Sequence, residues 1–355
     1  MKTIVTLFLL IPIAVILLVP GCTETVEPTE ENGIPYTAIT SPAQDQELST
    51  PTTMVVVKTD ENIPLAKMEL YVDGAKSPSL TITAAPWIFN LTLSDLVDGE
   101  HTIIAKAYDK KGNIIASEPR RFVKKPTSSM DERMLLVENF TNTGCTPCKA
   151  AEEDYERIIA NEAVGSRTTT ILYHVFWPDS KDPFYLANKI PVQQRVQYDS
   201  VKSAPHVRFN GFLRSEITLD FFKDWQRQML EELQRPPAIG IRLTKELNGD
   251  VATITANITP YAQSFPSDCR YYLVITEDSL YYAGSNGVLI HPFVMREMVT
   301  GGLGEPITIQ RDQPLTITKQ VTLNPQWVKK YLRAVVFVQS QSSKLALQAA
   351  KIDLK

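Results

Sequence analysis

The chain has 355 residues, with 36 Lys plus Arg against 40 Asp plus Glu and a formal net charge of −4. No basic field extends over it, which excludes nucleic acid as the expected partner. Four cysteines are too few for a disulfide-built scaffold, and the length leaves room for about three domains once a targeting segment is set aside.

That targeting segment is residues 1–21. Met1-Lys2 precedes an apolar run from Ile4 to Val19, and Val19-Pro20-Gly21-Cys22 follows. An apolar h-region with a small residue before a cysteine resembles a bacterial lipoprotein signal, which implies cleavage before Cys22 and a lipid on it. A plain transmembrane anchor is the alternative, but the run is at the short end for spanning. Residues 22–34, TETVEPTEENG among them, are acidic and polar and read as a tether.

Residues 35–125 carry β-rich runs at 52–59, 67–73, 87–93, 101–108 and 113–123, separated by turn pairs such as Asp73-Gly74 and Asp98-Gly99. No helical period intervenes, and a β-sandwich is expected. The stretches MELYVDG from Met68 and DGEHTIIAKAYD from Asp98 resemble bacterial Ig-like domains, modules that space or bind.

Residues 130–235 hold the chemistry. Met134 to Phe140 is an apolar run without helical period, a buried strand. Cys145-Thr146-Pro147-Cys148 follows, and Ala151, Tyr155, Ile158 and Ile159 then recur at helical spacing. Pro147 suits a first helical position. Cys145 is thus expected at a helix N-terminus, where exposed N–H groups and the helix dipole favour a thiolate, with Cys148 as the resolving thiol. A C-x-x-C also serves as half of a metal site, with His174 and His206 the nearest candidate ligands, or as a structural disulfide. The segment resembles the thioredoxin-like superfamily, and Ser203-Ala204-Pro205-His206 looks like its later motif. The resemblance implies a cis Pro205 facing the cysteines, with the Ala204 backbone docking an extended peptide beside Thr146 and Pro147. Two positions depart from that pattern: Asn139 replaces a buried carboxylate, with Glu138 on the opposite strand face, and Gly144 replaces a tryptophan. Beyond 205, a helix is expected with Thr218 as N-cap and Phe221, Phe222, Trp225, Met229 and Leu233 on its apolar face.

Residues 236–355 are β-rich, with runs at 239–247, 251–259, 271–276, 315–323, 333–339 and 345–352, and a second sandwich is expected. Cys269 precedes one of these strands, where burial or pairing with another chain are its two expected uses. The stretches VENFT at 137, PAIGI at 237, ITED at 275, His291 with Met295-Arg296, and LQA at 347 resemble the Omp28-related outer-membrane proteins. The fold class so expected is an all-β Ig-like sandwich, then an α/β thioredoxin-like domain, then an all-β sandwich.

Two functions follow from these residues. One is a membrane-anchored thiol–disulfide oxidoreductase without cofactor or metal. Its site comprises Cys145, Cys148, Pro205, Ala204, Thr146 and Pro147, and its partners are exported protein or peptide thiols and disulfides. The other is a surface adhesin or receptor whose C-x-x-C is only a structural cross-link. Both place the chain in the bacterial cell envelope, at the outer membrane, anchored through Cys22.

Overall fold

The computed structural model describes residues 36–60, 62–125, 132–213 and 221–355. The expected signal, the tether, Cys22 and the Thr218 cap lie outside them. Among the described residues no helix is long and apolar enough to cross a membrane.

Residues 36–125 form nine strands: β1 (Thr37–Ser41), β2 (Gln46–Leu48), β3 (Thr52–Thr59), β4 (Leu65–Val72), β5 (Leu80–Ile82), β6 (Ile88–Thr92), β7 (Gly99–Asp109), β8 (Ile114–Ala116) and β9 (Arg120–Lys124). One sheet is β1-β3-β6; the other is β2-β9-β7-β4-β5, with β8 beside β7. Strand alternation supplies the core, since His101, Ile103, Ala105 and Ala107 of β7 are buried and their neighbours are partly exposed. The three aliphatic ones meet Val55, Val57, Leu70, Phe89 and Phe122 in one apolar cluster, and His101 stacks on Phe122.

His101 in that core has both ring nitrogens opposite acceptors. Nδ1 lies 2.7 Å from the Asp73 carboxylate and Nε2 lies 2.8 Å from the Val97 carbonyl. Satisfying both requires the doubly protonated ring. Burial opposes that charge, but the Val97 carbonyl and the Asp73 carboxylate outweigh it and raise the pKa above the ordinary histidine value. A raised folded pKa gives stability that is fully present below the unfolded pKa of about 6.5 and is lost as pH rises through the folded one. The melting temperature of this module is therefore expected to fall as pH rises above about 6.5. In His101→Gln that slope should be absent, and an unchanged slope would refute the assignment.

The remaining elements are β10 (Leu135–Thr141), α1 (Thr146–Ile159), α2 (Glu162–Gly165), β11 (Thr168–His174), α3 (Pro183–Ala187), α4 (Lys189–Asp199), β12 (His206–Phe209), β13 (Phe212–Leu213) and α5 (Phe221–Leu233). Then come β14 (Ile239–Asn248), β15 (Val251–Pro260), β16 (Cys269–Glu277), β17 (Leu280–Tyr281), β18 (Ile290–His291), β19 (Val294–Met298), β20 (Glu305–Pro306), β21 (Leu315–Thr322), β22 (Leu332–Ser340) and β23 (Ala346–Asp353).

These elements overturn the expected succession of an α/β domain and a separate sandwich. The strands around the C-x-x-C do not close a sheet of their own: β13-β12-β10-β11 continues through β19 into β16-β22-β23, with β20 on β16, as one nine-stranded sheet. The join is β11 running parallel to β19, where Leu172 pairs with Val294. Strands predominate over helices, and no distinct α/β thioredoxin-like domain exists among the described residues.

Alternation explains how one sheet serves two cores. In β16 and β22, Tyr271, Leu273, Ile275, Ala334, Val336 and Val338 face the three-stranded sheet β14-β15-β21. Tyr272, Val274, Val335 and Phe337 face the other way and pack with Leu136, Phe140, Ile171, Tyr173 and the α4 residue Val192. On β10 the odd-numbered Leu135 and Val137 meet α1 and α5 through Ala151, Tyr155, Trp225 and Met229. Met54 and Ile88 of the N-terminal sandwich join that same cluster.

Candidate functional site

The C-x-x-C stands where β10 ends. Cys145 is the extended N-cap residue of α1, which begins at Thr146 and holds Pro147 second, so the missing proline N–H removes only a donor that has no partner within the helix. Cys145 and Cys148 are joined in a disulfide. Thr146 and Pro147 are exposed, yet Cys145 is 3% exposed and Cys148 0%. The sulfurs lie beneath the turn that carries them.

The Ala204–Pro205 peptide is cis. In β12, His206 pairs with Phe140 of β10, and Pro205 just before it sits at the strand end from which the cysteine loop leaves. Pro205 is buried and Ala204 half-buried. Both motifs thus lie at the carboxyl edge of the parallel pair β10 and β11, the edge at which α/β sheets bind ligands.

Alternation along β10 sorts the nearby polar groups. Glu138 is turned away from α1 and bonds Arg195 Nη2 at 2.6 Å and the Tyr173 hydroxyl at 3.1 Å. Asn139, on the α1 face, is buried. A carboxylate does reach the α1 side, from the helix rather than the strand: Glu152, one turn beyond Cys148, accepts the Thr141 hydroxyl at 2.6 Å. Burial pushes its carboxyl up, against the lowering pull of Thr141 and His174. Sequence reasoning missed this residue, although its place four positions after Cys148 was a usable signal.

His174 and His206 pair with Thr141 and Phe140 respectively, adjacent residues of one strand, so their rings lie on opposite faces of the sheet. They share no site. Among the described residues no group of three His, Cys, Asp or Glu side chains is placed to hold a metal ion. Burial and the nearby Arg208 lower the His206 pKa to about 4, which leaves that ring neutral.

His174 instead joins Asp182, the second residue missed in the sequence. Asp182 Oδ2 accepts from His174 Nδ1 and from the Thr143 N–H, both at 2.8 Å, and Oδ1 accepts the Phe184 and Tyr185 N–H groups at the start of α3. Burial works against this carboxylate, but those hydrogen bonds, His174 first, hold its pKa below the ordinary value. Gly144 is explained by the same loop, because a Cβ there would stand 2.8 Å from Asp179 Cβ. No tryptophan fits.

The segment between β16 and β19 completes the surroundings. Asn286 gives its backbone N–H to the Thr143 carbonyl at 3.0 Å and its side-chain amide to the Asn142 carbonyl at 3.3 Å. His291 donates through Nε2 to the Tyr282 carbonyl, 3.0 Å away, and packs on His174 and Phe184 with centroids 5.6 and 5.2 Å apart. Since a carbonyl only accepts, Nε2 carries the proton. Arg296 pairs with Glu277 at 3.4 Å and lies over Trp327. Cys269 is buried, and burial raises its thiol to about 11. Farther along the same edge an open cavity of about 280 Å³ is lined by Phe176, Trp177, Tyr185, Val192, Gln193 and Val196.

Residues 35–105 match the bacterial Ig domain. Those residues span most of the N-terminal sandwich. Among solved structures the chain is similar to HBP35 of Porphyromonas gingivalis, with 15% identity and a TM-score of 0.56 over 64% of this chain and 77% of that one. That likeness concerns the fold. The chain is also similar to a domain of the outer membrane lipoprotein Omp28 from Porphyromonas gingivalis, at 15% identity, TM-score 0.25, and 34% and 89% coverage. Fibronectin(III)-like modules of Clostridium thermocellum CbhA match at 19% identity and TM-score 0.23, covering 26% of this chain and 98% of that one. No curated protein matches the sequence.

Proposed function

We propose that the chain is an exported, lipid-anchored envelope protein whose Cys145–Cys148 pair exchanges disulfides with exported protein or peptide partners. The observation that carries the reading is a two-residue disulfide turn at the N-cap of a 14-residue helix, at the same sheet edge as Ala204 and Pro205. In the reduced state the Cys145 thiolate attacks a partner disulfide, forming one S–S bond and expelling one partner thiolate, which takes up a proton. Cys148 then loses its proton, attacks Cys145 Sγ and expels the second partner sulfur, which is protonated in turn. Two electrons pass to the partner. The reading assigns the Cys148 proton to Glu152, one turn along the same helix, and the backbone edge for the partner peptide to Ala204. Lipidation at Cys22 and residence at the outer membrane belong to this same proposal.

Burial of both sulfurs favours a second reading, a surface binding protein of the adhesin type in which the disulfide only cross-links a turn. A glutathione redox titration of the mature chain, with Cys148→Ala incubated in envelope extract, separates the two. Exchange predicts a potential above about −300 mV, the level below which structural disulfides of secreted proteins fall, together with covalent adducts through Cys145. A lower potential with no adduct would sink it.

A further inference from the structure

We propose that residues 280–291, the segment from β17 to β18, are a latch over the disulfide that must lift before either sulfur reacts. The purpose of the latch rests on the exchange reading; its mechanics rest on contacts. It approaches the chain on both sides of Cys145. Before the cysteine, Asn286 holds the carbonyls of Asn142 and Thr143, and a Cβ on Gly284 would come within 2.8 Å of the Thr143 oxygen. After the cysteine, a Cβ on Gly287 would lie 3.5 Å from Lys149 Nζ. A disulfide whose intervening residues are exposed while its two cysteines are 3% and 0% exposed is covered from elsewhere in the chain, and the proposed cover is this segment, which grips the turn just before Cys145.

The same segment can lift as a unit, with His291 its buried root and the rest of it partly or fully exposed. Its ties are mostly internal to one hairpin: the β17–β18 pairing, the Tyr282 N–H to Leu289, the Gly284 N–H to Tyr282 and Val288, the Gly287 N–H to Gly284, the Val288 N–H to Asn286 Oδ1, and His291 Nε2 to the Tyr282 carbonyl. Tyr281, Leu289 and Ile290 are exposed and contribute little to any core. Sparse burial of this kind marks elements that open locally at low cost. Left-handed backbone brackets it at two non-glycine residues, Ser279 with φ 57° and Phe293 with φ 55°. Such residues pay for their conformation only while the surroundings impose it, which suits hinge points.

The test is the rate at which dithiothreitol reduces the Cys145–Cys148 bond in the native chain and in denaturant. One reagent thiolate forms a mixed disulfide and expels a cysteine thiolate, which takes up a proton; the second reagent thiol closes the cyclic disulfide and frees the other cysteine. Two electrons enter the protein. A latch predicts a native rate far below the denatured one, and about a tenfold rise in the native rate for Asn286→Ala, the size expected for losing one hydrogen bond across the closed interface. Asn286→Asp keeps the acceptor for Val288 and loses only the donor to Asn142, so it should accelerate similarly. It guards against a variant that misfolds, as does an unchanged rate in denaturant. If the native wild-type rate equals the denatured rate, or if both folded variants reduce no faster than wild type, there is no latch. Adduct trapping by Cys148→Ala reads the exchange function separately: if Asn286→Ala accelerates reduction while Cys148→Ala traps no partner, the latch stands and the exchange reading falls.

Discussion

Arg195→Ala is expected to cost about 3–5 kcal/mol of stability, the range for leaving buried charges uncompensated. The guanidinium is 0% exposed and reaches Glu138 at 2.6 Å and Asp199 at 3.2 Å, while Nη1 donates to Gln339 at 3.3 Å. Asp199 also receives Arg208 at 3.2 Å, so two positive and two negative charges balance in one dry cluster. Three aromatic rings, from Tyr198, Tyr272 and Phe337, stack around the guanidinium at 4.7 to 5.9 Å. Removing it leaves Glu138 buried without a cation, where burial already pushes its carboxyl up. Because the cluster joins β10 and α4 to β16 and β22, the urea midpoint of the whole 132–355 body should fall together. Arg195→Lys should rescue little, since an ammonium cannot make the planar fork or lie flat on the rings. A variant with a wild-type midpoint would show that the cluster carries no net stability.

Asp182→Ala is the second large effect, at about 3 kcal/mol from stranding several donors at once. Three backbone N–H groups and His174 Nδ1 lose their acceptor together. One of them, Thr143, sits two residues before Cys145, so native reduction of the disulfide should also accelerate. Asp182→Asn keeps one acceptor oxygen and should recover part of the stability. The sign with pH follows from a depressed carboxylate: its contribution is present above the unfolded value of about 3.9 and disappears only as pH falls through the folded one. Wild type and Asp182→Asn should therefore differ at neutral pH and converge in strong acid, as read from urea midpoints. Curves that stay parallel to low pH would rule the linkage out.

Much of the local structure was legible without coordinates because it depends on near neighbours. The apolar run before Cys145, the helix after it and the β-rich runs after residue 236 depend on local residue pattern, and each is found where the residues indicate. The register consequence for Glu138 is of the same kind. A side chain next to Asn139 in a regular strand must face the opposite layer, and Glu138 does, bonding Arg195 there.

What tertiary structure alone decided is where the sheets end and which distant loops hold the turn before the disulfide. Whether β11 stops at an edge or pairs with β19 depends on one long-range contact, Leu172 with Val294, which no local pattern announces. That pairing turned two expected domains into one sheet, and the apolar character of both faces of β16 and β22 is its physical reason: each face needed its own core. Burial of the sulfurs was likewise out of reach, since Asn286 lies more than a hundred residues from Thr143 along the chain. The sequence by itself determined that a C-x-x-C would begin a helix beside a buried strand. The bonds that Asp182 and Asn286 make to the turn before it follow from loops brought together across the sheet, because hydrogen bonds between distant segments form only once the whole core has placed them.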